Sequence, residues 1–284
     1  MVRRAFTMAT VLTVPLVVGM TQATPATASI PNGSQITQSQ GFDACVDPSE
    51  SQMSAFWSGS PYWWLGTYIG GSSMACSQPN LSATWLGDEY NAGWRFQYIW
   101  VGPQPPCTTY TSRFSSNTST AFTQGQNEAI SAVNTLINNL GVANPATSTA
   151  LVYDLDAAPS SCQAATNSFI SGWDYQLSLY PAQESGVYGG VCTSSLQSYA
   201  NISHVPVFIW GGLWDGNRST KNLWDSVDNC GVTSGSWVYS QRLKQWKGPH
   251  NETWNGVTLN VDDDCANSWI NPNNIAGADS ACTA

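Results

Sequence analysis

From residue 41 to about residue 210, short apolar runs rich in Trp, Tyr, Val and Ile alternate with segments of helical periodicity. The runs fall at 41–45, 64–70, 95–101, 150–156, 184–189 and 206–210, most of them flanked by Gly or Pro, and read as strands. Helical patterns occupy 49–57, 82–90, 119–140, 162–179 and 193–199. The clearest sets Ile130, Val133, Leu136, Ile137 and Leu140 on one face and stops at Gly141. Strands that are apolar almost throughout, each separated by a helix, imply a parallel sheet covered on both faces. After about residue 215 the rhythm breaks into Gly-, Asn- and Trp-rich sequence, with strand-like 242–246 and 258–261 and no long helix. The expectation is one α/β barrel, of the size such barrels take (about 250 residues), with an irregular final third.

The chain divides into residues 1–28, a polar segment over 29–40 and the barrel domain over 41–284. The first segment reads as a signal peptide: Arg3 and Arg4, an apolar run over 8–20, then Ala26-Thr27-Ala28 as a small-x-small cleavage site. The paired arginines allow twin-arginine as well as ordinary secretory export. The apolar run is shorter than the roughly 20 residues a span needs, so no stable membrane insertion is expected. The expected location is therefore extracellular, and the chain is expected to be a monomer.

Eight cysteines follow the signal, and an even number in an exported chain implies disulfides. Cys45, Cys76 and Cys107, and again Cys162 and Cys192, stand about 30 residues apart, the length of one strand–helix unit. Successive cysteines would then lie in neighbouring loops at one end of the barrel. The favoured pairings are Cys76–Cys107, Cys162–Cys192 and Cys265–Cys282.

A net charge of −9 argues against nucleic acid as partner, since phosphate binding needs a basic surface. The two histidines, His204 and His250, cannot build a His-rich metal site, and no metal or other cofactor is expected. Asp262-Asp263-Asp264 reads as a solvated acidic turn, with Ca²⁺ contact as the alternative. No G-x-S-x-G elbow, H-E-x-x-H or phosphate-binding loop occurs.

In parallel sheets, functional groups gather at the C-terminal strand ends. Asp43 ends the first strand, and Asp154 and Asp156 end the fourth, two residues apart and so on the same face. Carboxyls sharing such a cleft repel, which keeps one of them protonated, as glycosidic cleavage requires. A loop- or helix-capping role is the alternative for any one of them.

Several motifs carry a resemblance. Gly41-Phe42-Asp43-Ala44-Cys45, Tyr68-Ile69-Gly70-Gly71, Ser77-Gln78-Pro79-Asn80-Leu81 and Val101-Gly102-Pro103-Gln104 come first. Trp214-Asp215-Gly216 and the run from Gln245 to Val257, with His250-Asn251-Glu252-Thr253-Trp254-Asn255-Gly256 at its centre, complete the set. In order and spacing these resemble the secreted glycoside-hydrolase-like domain also called domain of unknown function 1906, itself distantly similar to family 25 lysozymes. The resemblance implies a modified TIM-type barrel with about five β/α units followed by a largely antiparallel last part. In the related lysozymes an Asp ends strand one, an Asp-x-Glu ends strand four with Glu as general acid, and another Asp lies near the last strand. Asp43 and Asp154 match the first two aspartates, and Asp262 is the nearest match to the last. Asp156 stands where Glu is expected; one methylene fewer withdraws the acid by roughly 1–1.5 Å, and such a misplacement can cost about 10²-fold.

A polysaccharide or oligosaccharide is the expected substrate. Among 14 Trp and 11 Tyr, those near predicted strand ends are candidates for stacking on sugar: Tyr68, Trp100, Tyr188, Trp210, Trp214 and Trp246. Asp215, Gln245 and Asp262 are candidates for sugar hydroxyls. Two functions stay open: a hydrolase with Asp156 as proton donor, and a catalytically silent barrel that binds carbohydrate.

Overall fold

The computed structural model describes residues 35–142, 149–180, 183–270 and 282. The signal sequence expected over 1–28 lies outside them, as does the start of the polar segment. Eight strands close into a barrel, in the spatial order β1-β10-β9-β6-β5-β4-β3-β2. The first five β/α units run β1 (Gln35–Asp43), α1 (Glu50–Gly59), β2 (Trp64–Gly70), α2 (Ala83–Ala92), β3 (Arg95–Trp100), α3 (Thr118–Asn138), β4 (Ala150–Asp154), α4 (Gln163–Ser178) and β5 (Glu184–Gly190). A 3₁₀ helix, Leu196–Asn201, takes the fifth helical place before β6 (Phe208–Gly212). A small hairpin, β7 (Trp224–Asp225) and β8 (Cys230–Gly231), interrupts the path to β9 (Arg242–Trp254) and β10 (Val257–Ile270). Strands β1 to β6 run parallel to one another and β9 is parallel to β6, whereas β10 is antiparallel to both β9 and β1. The modified TIM-type barrel of the sequence reading is therefore the fold.

Local chemistry sets the element ends. Ser82 caps α2 by accepting from the Trp85 N–H (3.1 Å), and Asn117 caps α3 by accepting from the Thr120 N–H (3.0 Å). Gly125 and Gly172 let α3 and α4 meet backbone to backbone. A Cβ on Gly125 would lie 2.0 Å from the Phe169 carbonyl oxygen, and one on Gly172 2.0 Å from that of Phe122.

Strand parity divides the core in two. Phe96, Tyr98, Leu151, Tyr153 and Val187 point outward to the helices. Trp64, Ile99, Val152, Phe208, Trp210 and Leu243 fill the barrel itself, with Trp64 and Trp210 edge to face at 5.6 Å. This plug is the floor on which the site stands.

Three expectations need correction. Strand β1 begins at Gln35 rather than residue 41, because its polar first half pairs residue for residue with β10, Gln35 opposite Ile270 through Asp43 opposite Asp262. The last two strands are far longer than 242–246 and 258–261. A turn with Asn255 (φ 49°) and Gly256 (φ 79°) closes them into one hairpin, the two positive-φ positions that Asn-Gly supplies at low cost. The disulfides do bridge successive loops, but one step out of register from Cys76–Cys107 and Cys162–Cys192. The pairs are Cys45–Cys76, Cys107–Cys162 and Cys192–Cys230, with Cys265–Cys282 as expected. Their Cα separations of 5.2–5.8 Å match disulfide reach. No cysteine is free. Among the described residues, no helix is long and apolar enough to cross a membrane.

Candidate active site

Strands β1, β4 and β10 bring carboxyls to the mouth of the barrel, and β9 brings the Gln245 amide. Asp43 ends β1 directly opposite Asp262 on β10, and Gly66 on β2 pairs with Asp43 from the other side. Gly66 is needed there: a Cβ would lie 2.8 Å from Asp43 Cβ and 3.0 Å from the Trp210 ring.

Gln245 on β9 ties the centre together. Its Nε2 donates to Asp43 Oδ2 (2.9 Å) and Asp262 Oδ2 (3.3 Å), while its Oε1 accepts from Tyr188 Oη (2.8 Å) and Trp214 Nε1 (2.9 Å). The indole N–H can only donate, so the amide oxygen must face Trp214 and the amino group must face the aspartates. Tyr68 donates to the other oxygen of Asp43 at 3.1 Å.

Asp154 sits across the cleft, 5% exposed, with Oδ1 buried and without a hydrogen-bond partner. Asp156 lies two residues past the end of β4 and is exposed, its carboxylate accepting from the Tyr110 hydroxyl. Gln104 fixes this segment, donating to the Asp154 carbonyl (2.9 Å) and accepting from the Asp156 N–H (3.2 Å).

Burial, joined by repulsion at Asp154 and Asp262, makes Asp43, Asp154 and Asp262 hold protons above the ordinary carboxylate range. Burial pushes Asp43 up to about 6 against hydrogen bonds from Gln245, Asp264 and Tyr68. Burial, then the charges of Asp156 and Asp43, holds Asp154 well above the ordinary carboxylate range. Asp262 is raised to about 8 by burial and by Asp43 and Asp263.

Two cavities open at this end of the barrel and share Asp156 as a lining residue. One, about 220 Å³, is lined by Asp43, Tyr68, Met74, Asp154, Asp156 and Asp262 among others. The second, about 470 Å³, runs from Asp156 past Tyr188 and Thr193 to Trp214, Asp225 and Asp228. Trp214 is 61% exposed, with its ring against the Gly248 backbone and its N–H fixed by Gln245, which makes it a rigid platform at the rim.

Asp43, Asp154, Asp156, Tyr68, Tyr188, Gln245, Asp262 and Trp214 thus share one cleft. Other candidates sit elsewhere. Trp100 points outward, donating to Glu128 of α3 at 2.6 Å, because alternate residues of β3 face the helices. Trp210 is inside the barrel, 1% exposed, as part of the floor. Trp246 lies outside the cleft's lining with the Arg218 guanidinium over its ring at 5.4 Å. Asp215 is engaged by Lys244 (2.7 Å), the Asn217 N–H and Asn222, which hold its loop.

The acidic run is no solvated turn. Asp262 faces the cleft, and Asp264, fully buried, accepts from Trp210 Nε1 at 3.0 Å beneath Asp43. Asp263 points the other way, to Tyr62, Lys247 and His250. Register shifts in β10 at these residues help aim them. Asp264 was invisible as a site residue because composition cannot distinguish a strand from a turn in such a run.

Among the described residues, two groups bring three possible metal ligands together. In one, Cys192 is already in a disulfide; in the other, His250, Glu252 and Asp263, Lys247 Nζ lies 3.8 and 3.7 Å from the two carboxylates. The cleft aspartates form no such group.

A barrel of five β/α units closed by an antiparallel hairpin, with carboxyls gathered at its mouth, defines a glycoside-hydrolase-like protein. The chain belongs to the family described as Rv2525c-like, glycoside hydrolase-like domain, whose model matches residues 55–266. No curated protein matches it in sequence. Its fold is similar to that of the Tat-secreted protein Rv2525c of Mycobacterium tuberculosis, solved with L-tartrate. That match has TM-score 0.52 and 14% identity over 80% of this chain and 95% of that one. An uncharacterized B. stearothermophilus protein gives TM-score 0.51 and 13% identity over 80% and 95%. The catalytic domain of endolysin ply40 from Listeria monocytogenes bacteriophage P40 is looser, at TM-score 0.46 and 14% identity over 82% and 95%. At these identities the likeness concerns the fold.

Proposed function

We propose that this protein is a secreted hydrolase of glycosidic bonds in a cell-wall or extracellular polysaccharide. The observation that carries this is the position of Asp156, which lines two cavities and follows a buried, proton-retaining Asp154 two residues earlier. A glycan lying along both cavities would present a linkage there. Asp156 would protonate the leaving oxygen as the C1–O bond breaks and water takes its place at C1, and Asp154, as a neutral carboxyl, would hold the C2 substituent by hydrogen bonding. Asp43 and Asp262, fixed by Gln245, would bind and orient the sugar, with Trp214 as stacking platform. The disulfides suit an oxidising, extracellular setting, and a Tat-secreted relative by fold adds to the case for export.

One observation favours the silent-barrel alternative: the Asp156 carboxylate, already one methylene short of Glu, is occupied by the Tyr110 hydroxyl. The two separate in a single comparison. For a hydrolase, Asp156→Asn should lower release of reducing ends from an unactivated polysaccharide by about 10²–10⁴-fold, and much less from an activated aryl glycoside. A silent barrel shows no turnover in the parent and unchanged glycan affinity in the variant. Parent-level hydrolysis of the polysaccharide by folded Asp156→Asn would overturn the assignment of Asp156.

A further inference from the structure

The two cavities that share Asp156 are lined by acids and, among the described residues, by no base. Asp43, Asp154, Asp156 and Asp262 line the inner one and Asp225 and Asp228 the outer, and no described Lys, Arg or His lines either. The cations nearest in sequence are committed elsewhere: Lys244 holds Asp215 at 2.7 Å, and Lys247 faces Glu252 and Asp263.

A row of acids alone is common on a protein surface; here one member points to a ligand. Asp154 lines the inner cavity, is 95% buried, and leaves Oδ1 without any hydrogen-bond partner. A buried carboxyl with an unpaired oxygen is costly unless a donor in the cavity engages the part of the side chain that lines it. The donor is not a coordinated metal ion, since no three of the cleft aspartates bring ligand oxygens within 4.8 Å of one another. An ammonium group carried on a larger molecule has the right charge, offers three N–H donors and needs no such convergence. At the outer end, the exposed Trp214 beside Asp225 and Asp228 pairs an aromatic face with negative charge, a combination that suits an amino sugar.

We infer that the glycan this cleft takes is an N-deacetylated amino-sugar polymer, whose protonated amino groups supply the positive charge the cleft lacks. The inference rests on the hydrolase proposal only for the ligand being a sugar. A C2 ammonium would face Asp154 and displace its proton, since a nearby cation favours the carboxylate, and a second one further along the chain would lie near Asp225 and Asp228. An N-acetylated chain would place a neutral amide against Asp154 and leave the outer acids without counter-charge.

The test is calorimetric binding of a β-1,4-linked glucosamine hexasaccharide, its fully N-acetylated counterpart and hexalysine to the full chain. The deacetylated sugar should bind at least about 10-fold tighter than either, and its affinity should fall as salt rises. Asp225→Asn with Asp228→Asn should weaken it several-fold, whereas Asp88→Asn, an exposed acid on α2, should leave it unchanged. Equal or tighter binding of the acetylated sugar would overturn the inference. So would equal binding of hexalysine, or an Asp88→Asn loss matching that of the cleft variant. The preference between the two hexasaccharides is read on the parent protein and needs no variant to fold. Binding without cleavage of the deacetylated sugar upholds this inference and removes the hydrolase proposal. Cleavage of an acetylated polymer without binding of the deacetylated one does the reverse.

Discussion

Gln245 uses its whole hydrogen-bonding capacity in the cleft: two N–H donors to Asp43 and Asp262, and one oxygen shared by Tyr188 and Trp214. It couples the aromatic rim to the carboxylates and resists the rise that burial imposes on Asp43. Gln245→Glu keeps the oxygen facing Trp214 but turns the other arm into an acceptor against two carboxylates. We expect the turnover rate to fall by about 10²-fold, since misplacing the reacting groups by an ångström costs that much. The pH–rate profile should shift upward, because an added like charge raises its neighbours. Steady-state kinetics of the folded variant across pH checks both, and an unchanged profile would remove Gln245 from the positioning role. Asp43 and Asp154 were legible as aspartates at the ends of apolar strands, and Asp262 only through the family resemblance. Asp264 stayed unplaced, because three consecutive acids carry no parity signal until their strand partners are known.

At the scale of elements, the pairing of α3 with α4 is the tightest constraint, since each helix has a glycine where a side chain would strike the other's backbone. Gly125→Ala should destabilise the protein by about 1–3 kcal/mol, the usual cost of overpacking. Gly235→Ala, with nothing within 4 Å of the new Cβ, should change stability little. Denaturant unfolding of the two variants compares them, and equal midpoints would contradict the close packing. The six parallel strands were legible because their apolar runs are buried on both faces. The β9–β10 hairpin was not, because its outer half is polar and is held by backbone pairing. Asn255-Gly256 was the available signal, and it marks the turn. Parity along β3 could likewise have placed Trp100 outside, since Ile99 and Val101 take the inward positions.

For the whole molecule, the cleft carries a stability cost with a definite sign. Asp43, Asp154, Asp262 and Asp264 are all raised by burial above the ordinary value of 3.8, as are Asp47 and Asp174 away from the cleft. The folded state therefore binds protons that the unfolded chain releases, and stability falls as pH rises. The decline should begin near 3.8 and continue through about 6 for Asp43 and about 8 for Asp262. The thermal midpoint should thus be highest in acid and fall towards about pH 8. Asp154→Asn, which removes a buried carboxyl, should raise the midpoint at the alkaline end while reducing activity, the trade-off expected where function keeps a destabilising group. A midpoint that climbs across this range would contradict the protonation states assigned to the cleft. Disulfide pairing was the feature of the whole molecule least legible in sequence, because even spacing fits two registers of bridged loops and the folded loops use the other one.

The proposed hydrolase activity requires water to be added across a glycosidic bond at the Asp154–Asp156 end of the cleft. Digestion of a purified polysaccharide in ¹⁸O-labelled water, followed by mass spectrometry, tests it most directly. The parent protein should yield shorter fragments whose new reducing ends carry the label, and Asp154→Asn and Asp156→Asn proteins of unchanged fold should yield almost none. Labelled fragments formed equally by the parent and both variants, or an intact polymer with every glycan supplied to the parent, would contradict the proposal.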